Sequence, residues 1–241
     1  MKKLILTVIF LFALVNIYGQ NPDEEITAKN EIDLVISDIL DGAIQIKYER
    51  LLSKHFTASL GLGYKGEEGL INLSGIDTEK IKTNGITYSG FKIIPEVRYY
   101  LNNEGHTSMK GFYFGAYLKY SDYQSNLNGK YIADNLEEFE IEFQADIKVT
   151  SIGLMVGYKL PVTKKLSVDF LIAGPGTGFY NFSIKNTKDL PDEFYEDLNE
   201  ALENYHIFDL LDGDFRFSNA KRKSNFNLLS VRYGISVGYS F

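Results

Sequence analysis

From Leu229 to Phe241 apolar residues alternate without a break with small or charged ones. Leu229, Val231, Tyr233, Ile235, Val237, Tyr239 and Phe241 fall on one face; Ser230, Arg232, Gly234, Ser236, Gly238 and Ser240 fall on the other. A period of two marks a β-strand, because successive side chains point to opposite faces. The pattern recurs from Gly111 to Ser121, where Phe112, Phe114, Ala116, Leu118 and Tyr120 oppose Gly111, Tyr113, Gly115, Tyr117 and Lys119. It recurs again from Ser151 to Leu160, where Ile152, Leu154, Val156, Tyr158 and Leu160 oppose Ser151, Gly153, Met155, Gly157 and Lys159. Weaker copies near 31–37, 43–50, 55–64, 88–101 and 166–175 bring the expectation to about eight strands, and an even number suits a closed up-and-down meander.

The connections alternate in length. Short turns are expected at Leu52-Ser53-Lys54, at Asn102 to Ser108 and at Pro161 to Lys164, and long polar loops at 65–87, 122–143 and 183–224. Only the connection near Asp38 to Asp41 is brief on the long side. Each clear strand is about 10 residues, the length at which a tilted strand crosses a bilayer. A soluble barrel fills its interior with large apolar side chains and carries charge outside. The second face here is mostly Gly and Ser with an occasional Arg, Lys or Glu, too sparse for a solvated surface and too polar for a core. It reads as a narrow polar lumen inside a membrane barrel. Aromatic residues near strand ends would form girdles at the two interfaces, with Tyr48, Phe56, Tyr99, Tyr158, Tyr239 and Phe241 at one and Tyr64 and Tyr120 at the other. Pro95 and Pro175 cannot donate to a ladder, so each predicts a bulge or a strand end.

Composition agrees with an all-β chain: Tyr 17, Phe 17, Gly 21 and only 5 Pro among 241 residues. Met1-Lys2-Lys3, the apolar run Leu4 to Val15 and the break at Ile17-Tyr18-Gly19-Gln20 have the layout of a secretory signal peptide, expected to occupy 1–19 and to leave one domain over 20–241. No later apolar run approaches the roughly 20 residues of a membrane helix. With Cys 0 there is neither a disulfide framework nor a cysteine to carry a lipid anchor. The formal charge of -7 becomes more negative once Lys2 and Lys3 leave with the signal, so a nucleic-acid partner is not expected.

The signal, the alternation and the closing Val237-Gly238-Tyr239-Ser240-Phe241 together resemble the small eight-stranded outer-membrane β-barrels of the OmpA/OmpX type. Glu96-Val97-Arg98-Tyr99-Tyr100-Leu101 and Gly157-Tyr158-Lys159-Leu160-Pro161 resemble uncharacterised outer-membrane β-barrel domains. The resemblance implies a location in the cell outer membrane, contact with its lipid, and recognition of Val237, Tyr239 and Phe241 by the barrel-assembly machinery.

Lys47, Glu49, Lys92, Glu96, Arg98, Lys119, Lys159, Asp169 and Arg232 all fall on polar strand faces. An eight-stranded barrel is only wide enough for side chains, so opposite charges are expected to pair and plug it; an ion or proton pathway is the competing use. His55 and His106 fall in short turns and His206 in the longest loop, so no catalytic constellation is expected. Gly174-Pro175-Gly176-Thr177-Gly178 lacks the Lys-Ser/Thr of a phosphate loop and reads as a kinked strand near the rim. Asp189 to Tyr205 reads as a helix, Pro191 near its first turn, whose face of Phe194, Leu198, Ala201, Leu202 and Tyr205 would cap the barrel mouth. Asp209, Asp212, Gly213 and Asp214 do not match calcium-loop spacing, and no metal or cofactor is expected. Lys221, Arg222 and Lys223 would lie above the outer leaflet, where phosphorylated lipopolysaccharide is the available anion. The expected function is non-catalytic: a barrel displaying loops for a structural or surface-binding role, adhesion included. The alternatives are an outer-membrane lipid-modifying enzyme and a secreted soluble barrel around an apolar ligand, which would need the Leu229 to Phe241 greasy face to point inward.

Overall fold

A computed structural model of the chain describes residues 28–67, 69, 74–101, 109–203, 216–218 and 222–241. Its strands are β1 (Asn30–Val35), β2 (Ala43–Leu51), β3 (Phe56–Lys65), β4 (Ile81–Thr83), β5 (Thr87–Tyr100), β6 (Gly111–Ile132), β7 (Glu138–Pro161), β8 (Leu166–Asn186) and β9 (Arg222–Ser240); the helices are α1 (Ile36–Leu40) and α2 (Asp192–Glu203). Every strand except β4 pairs antiparallel with its neighbour in sequence, and β9 returns to pair with β1, placing Ile32 opposite Tyr239 and Leu34 opposite Val237. The ring is therefore a closed eight-stranded meander without a free edge. β4 lies outside it, paired to the far end of β6 through Ile81 and Tyr131. One end of the ring, here the lower, carries the short connections 52–55 and 162–165; the upper end carries α1, β4, α2 and the turn 133–137. The third expected short turn, Asn102 to Ser108, lies outside the described residues.

The strands are unequal. β1 has 6 residues and β2 has 9, whereas β6, β7 and β8 have 22, 24 and 21. The polar loop expected at 122–143 is therefore a strand hairpin, closed by a turn in which Leu136 takes a φ of 65°. β7 shows why the stretch reads as a loop. From Glu138 to Leu160 the same parity of residues faces outward throughout, yet the outer residues are Glu138, Glu140, Glu142, Gln144, Asp146 and Lys148 above, and Ile152, Leu154, Val156, Tyr158 and Leu160 below. The inner face changes in the opposite sense, with Ile141 and Phe143 buried above and Ser151 and Lys159 buried below. Alternation is unbroken, but its polarity turns over near Thr150.

Neighbouring strands turn over at the same level. On β6 the outer residues pass from Leu118 and Tyr120 to Asp122 and Gln124, and Tyr120 pairs with Thr150 while Asp122 pairs with Lys148. On β8 the change falls between Phe179 and Asn181, paired with Thr150 and Lys148 in turn. On β9 it falls between Asn227 and Leu229, within one rung of the same line. Below it the outer surface is a continuous apolar belt that includes Leu154, Leu229 and Tyr233, exposed at 69%, 77% and 77%. The Leu229 to Phe241 greasy face thus points outward, whereas the soluble barrel around an apolar ligand needs it inward. Aromatic pairs edge the belt, Phe56–Tyr99 (ring centroids 5.0 Å) and Phe112–Tyr158 (4.7 Å) below and Phe91–Tyr120 (6.1 Å) above.

The two prolines behave differently from one another. Beside Pro175 the β8 register shifts, between Leu171 and Gly174, as a bulge should. Pro95 makes no bulge. The β5–β6 ladder lapses at Ile94 and Pro95 and resumes in unchanged register at Glu96, so the missing donor costs rungs without reshaping the strand.

Candidate functional site

The interior of the ring has two parts, and the lower one is built from charge. Lys159 Nζ lies 2.6 Å from both Glu31 and Glu49. Lys47 sits 2.7 Å from Asp169 and 3.5 Å from Asp33. Arg98 spans Glu96 and Asp169, each at 2.7 Å, with Glu49 at 3.5 Å, and Arg232 reaches Glu96 at 2.8 Å. Lys92 pairs with Asp38 of α1 near the upper limit of the network. Apart from Asp38, these side chains come from six strands, β1, β2, β5, β7, β8 and β9, and are brought inward because alternate strand positions share a face.

Hydroxyls satisfy the lone pairs that the cations leave. Thr57 Oγ1 (2.6 Å) and Tyr100 Oη (2.9 Å) donate to Glu49, Tyr113 Oη donates to Asp169 (2.9 Å), and Ser167 (3.1 Å) and Ser240 (2.6 Å) donate to Glu31. The Arg98 and Arg232 guanidinium groups stack over the rings of Tyr113 and Tyr117, each at 4.4 Å. Space for those rings comes from glycine: a Cβ at Gly157 would overlap the Tyr113 ring and hydroxyl, and one at Gly153 would meet Tyr117. Glu49 and Lys159 are wholly buried. Pairs this dry hold only because each charge has a counter-charge and hydrogen bonds.

Three groups depart from that rule. The Asp33 carboxylate is buried without a hydrogen-bond donor, Arg232 Nη1 lacks an acceptor, and Lys119 makes no ion pair with a described residue. Lys119 and Arg232 line a polar cavity of about 160 Å³ together with Lys92 and Asp38, room enough for water to supply what protein atoms do not. Glu31, Asp33 and Glu49 bring carboxylate oxygens within 4.8 Å of one another, the arrangement of a cation site. The Lys159 ammonium already occupies that position, 2.6 Å from two of the three.

Above the network lies an aromatic layer, with Tyr88 against Tyr123 (5.5 Å) and Tyr180 stacked on Phe226 (5.2 Å). Above that the interior is apolar. Ile81, Tyr131, Ile141, Phe143, Leu190, Phe194, Tyr195, Leu198 and Leu202 form one buried cluster that joins α2 to the inner faces of β6 and β7. Asp192 and Glu193 in the first turn of α2 complement the helix dipole. Lys80 bridges the helix, through Asp197 (3.1 Å) and Glu193 (3.8 Å), to Asp134 of the turn 133–137 (2.8 Å), and Tyr131 Oη donates to Asp197 (2.8 Å). The hydrogen bond from Lys80 holds the exposed Asp134 carboxyl below its ordinary range, and hydrogen bonds to Asp134 and Asp197 hold Lys80 above its own. Burial, followed by the bond to Asp197, pushes the Tyr131 phenol up.

All nine charges expected on the polar faces are on the inner side of the ring: eight make ion pairs, and Lys119 lines the polar cavity. Glu31, Asp33 and Asp38 were not among them, although Glu31-Ile32-Asp33-Leu34 alternates visibly. Tyr113 and Tyr117 are buried on the face that the alternation over 111–121 assigns to the lumen, and Tyr100, which the pattern does not single out, joins them. Tyr239 and Phe241 face outward at the lower rim with Val237 half-buried, and Phe241 exchanges backbone hydrogen bonds with Asn30. Lys223 is exposed and paired to Ser183 through its backbone, while Lys221 and the Arg222 side chain lie outside the described residues. The expected signal segment, His106, His206, Tyr205 and the Asp209–Asp214 cluster also lie outside them. His55 sits in a lower turn with Nδ1 3.1 Å from the Tyr100 carbonyl. The glycine run 174–178 forms part of β8 beside the bulge, and Gly176 would meet Tyr117 if it carried a Cβ.

A family model described as "Protein of unknown function (DUF3575)" matches residues 6–209. Neither a curated protein nor a solved structure matches the chain.

Proposed function

We propose, from the premise that the chain belongs to the DUF3575 family, that it is a non-catalytic outer-membrane barrel that carries a small folded head outside the cell. The observation behind this reading is the turnover of both faces at one level. An apolar outside around a charged inside is what a bilayer demands, because lipid solvates the outer side chains and the lumen holds the polar ones. A charged outside around an apolar inside is what water demands. One uninterrupted set of strands meets both conditions, so the line through Thr150, Tyr120 and Phe179 marks the outer interface of the membrane. The lower girdle of Phe56, Tyr99, Phe112 and Tyr158 marks the inner one, and the short turns below it face the periplasm.

In this reading the charge network is a plug. It closes the ring with paired side chains and fixes the strands around it, while the upper hairpins and α2 present a surface for binding or adhesion. Val237, Tyr239 and Phe241 serve recognition by the assembly machinery, and Lys221, Arg222 and Lys223 contact lipopolysaccharide phosphates. The test is gel mobility of the outer-membrane fraction with and without boiling. A heat-dependent shift in that fraction is the expected result; recovery as a soluble species with no shift overturns the membrane assignment.

A further inference from the structure

Among the described residues, the apolar interior above the plug is not fully packed. A cavity of about 540 Å³ remains between α2, the inner faces of β6, β7 and β8 and the β3–β5 connection. Leu127, Ile147, Phe182, Ile184, Phe194 and Phe217 line it, and its few polar contributors are neutral hydroxyls and glycine backbone, with no charged side chain among the described residues. Protein interiors rarely leave such space, since voids larger than a water forfeit dispersion contacts. An apolar cavity of about 150 Å³ already admits a benzene ring. The volume here lies inside the roughly 300–1,000 Å³ range of small-molecule sites.

The wall is not built of strands all round. β6, β7, β8 and β9 continue above the interface, but β1 ends at Val35, β2 begins at Ala43, β3 ends at Lys65 and β5 begins at Thr87. Above those four strands the chamber is closed by residues 74–86 and α2 instead of by hydrogen-bonded barrel strands among the described residues. On the outside of the same strands, at the upper edge of the belt, Ile44, Leu62, Tyr64 and Phe91 border a shallow apolar groove. The groove and the chamber share no lining residue, and the upper ends of β2, β3 and β5 between them carry the Lys65–Asp41 pair.

We propose that the chamber binds one hydrocarbon chain of an amphiphile, taken up at the outer-leaflet surface. The inference rests on the membrane reading for the place of uptake, while the chamber itself rests on the packing of α2. Without a charge in the lining, the chain supplies the affinity by leaving water, and its head stays at the charged rim.

The test uses the full chain refolded into phosphatidylcholine vesicles with a diazirine-bearing long-chain fatty acid, followed by photolysis and mapping of the labelled residues. Adducts are expected at inward positions of 141–147 and 182–184 and on α2. Competition by unlabelled fatty acid alone identifies a free acid as the ligand, and equal competition by lysophospholipid identifies a membrane lipid. Ala145→Trp places a ring in the chamber; displacing about two methylenes of the ligand lowers chamber labelling roughly tenfold and leaves belt labelling at 152–160 unchanged. Ala145→Leu gives a smaller loss and retains the comparison should the Trp variant not refold. Adducts confined to outward belt positions, or chamber labelling unchanged in both variants, overturn the proposal. The heat-dependent gel shift of the same samples reports the barrel separately, so a failed chamber and a failed membrane reading are told apart.

Discussion

Replacing Lys159 by Met should cost more stability than replacing Arg98 by Met, even though Arg98 touches more carboxylates. Removing one partner of a buried ion pair costs about 3–5 kcal/mol, because an uncompensated charge is left in a dry interior. Without Arg98, Asp169 keeps Lys47 at 2.7 Å, Glu96 keeps Arg232 at 2.8 Å and Glu49 keeps Lys159 at 2.6 Å. Every acid that loses Arg98 still faces another cation, so the low end of the range, about 3 kcal/mol, applies. Without Lys159, Glu49 retains only Arg98 at 3.5 Å with its two hydroxyl donors, and Glu31 retains the Ser167 and Ser240 hydroxyls but no cation. That variant belongs at the high end, about 5 kcal/mol, and adding Glu31→Gln to it should recover part of the loss by neutralising the stranded acid. The assay is equilibrium urea unfolding in lipid vesicles, followed by the heat-dependent gel shift. Equal losses below about 1 kcal/mol, the scale of solvated surface pairs, would refute the plug, and the reverse order would refute the ranking.

Three further outcomes follow from the same geometry. Leu154→Arg, on the outward face of the belt, should destabilise the vesicle-inserted protein by roughly 2–4 kcal/mol, while a charge swap at outward Asp146 should change little, as read by the same unfolding assay; equal effects at the two positions would remove the belt. Gly157→Ala should cost about 1–3 kcal/mol, since the added methyl displaces the Tyr113 ring from Asp169 and from Arg98, whereas Tyr113→Ala in the Gly157→Ala background should add less than it does alone. The Lys80 contacts should hold α2 across the neutral range. Asp134 is shifted down, so its contribution is present above the ordinary Asp range and lost as pH falls through the lowered value; Lys80 is shifted up, so its contribution is present below the ordinary Lys range and lost only as pH rises through the raised value. Protection of residues 192–203 from hydrogen exchange, taken relative to the intrinsic rate at each pH, should accordingly be flat around neutrality and fall only in strong acid or strong alkali; a fall near neutral pH would contradict the assignment.

The ring closure was legible because β9, β6 and the lower half of β7 alternate cleanly and because eight such segments suit a meander. The upper half of β7 alternates just as cleanly, Glu138 to Lys148 against Phe139 to Val149, yet it reads as a polar loop to anyone expecting apolar residues outside. Its meaning depends on which solvent surrounds the strand, and that changes at Thr150. The inward position of the nine charges was legible from parity alone. Their partners were not: Lys47 and Asp169 are 122 residues apart and Lys159 and Glu49 are 110 apart, so pairing depends on ring closure and register. Glu31 and Asp33 escaped because β1 is a six-residue strand in which two acids look like a solvated edge. The helix was visible from Pro191 and its Phe194–Leu198–Leu202 stripe, but the space it leaves beneath it depends on three-dimensional packing that periodicity does not encode.

Because the sequence contains no cysteine, single cysteines can map the membrane level directly. The decisive measurement is labelling of Glu140→Cys, Leu154→Cys and Lys164→Cys by a membrane-impermeant maleimide, first on intact cells, then after permeabilising the outer membrane, then after unfolding. The account predicts that position 140 reacts on intact cells, position 164 only after permeabilisation, and position 154 only once the barrel is unfolded. Reaction at position 154 on intact cells as readily as at position 140, or at position 164 before permeabilisation, would contradict it.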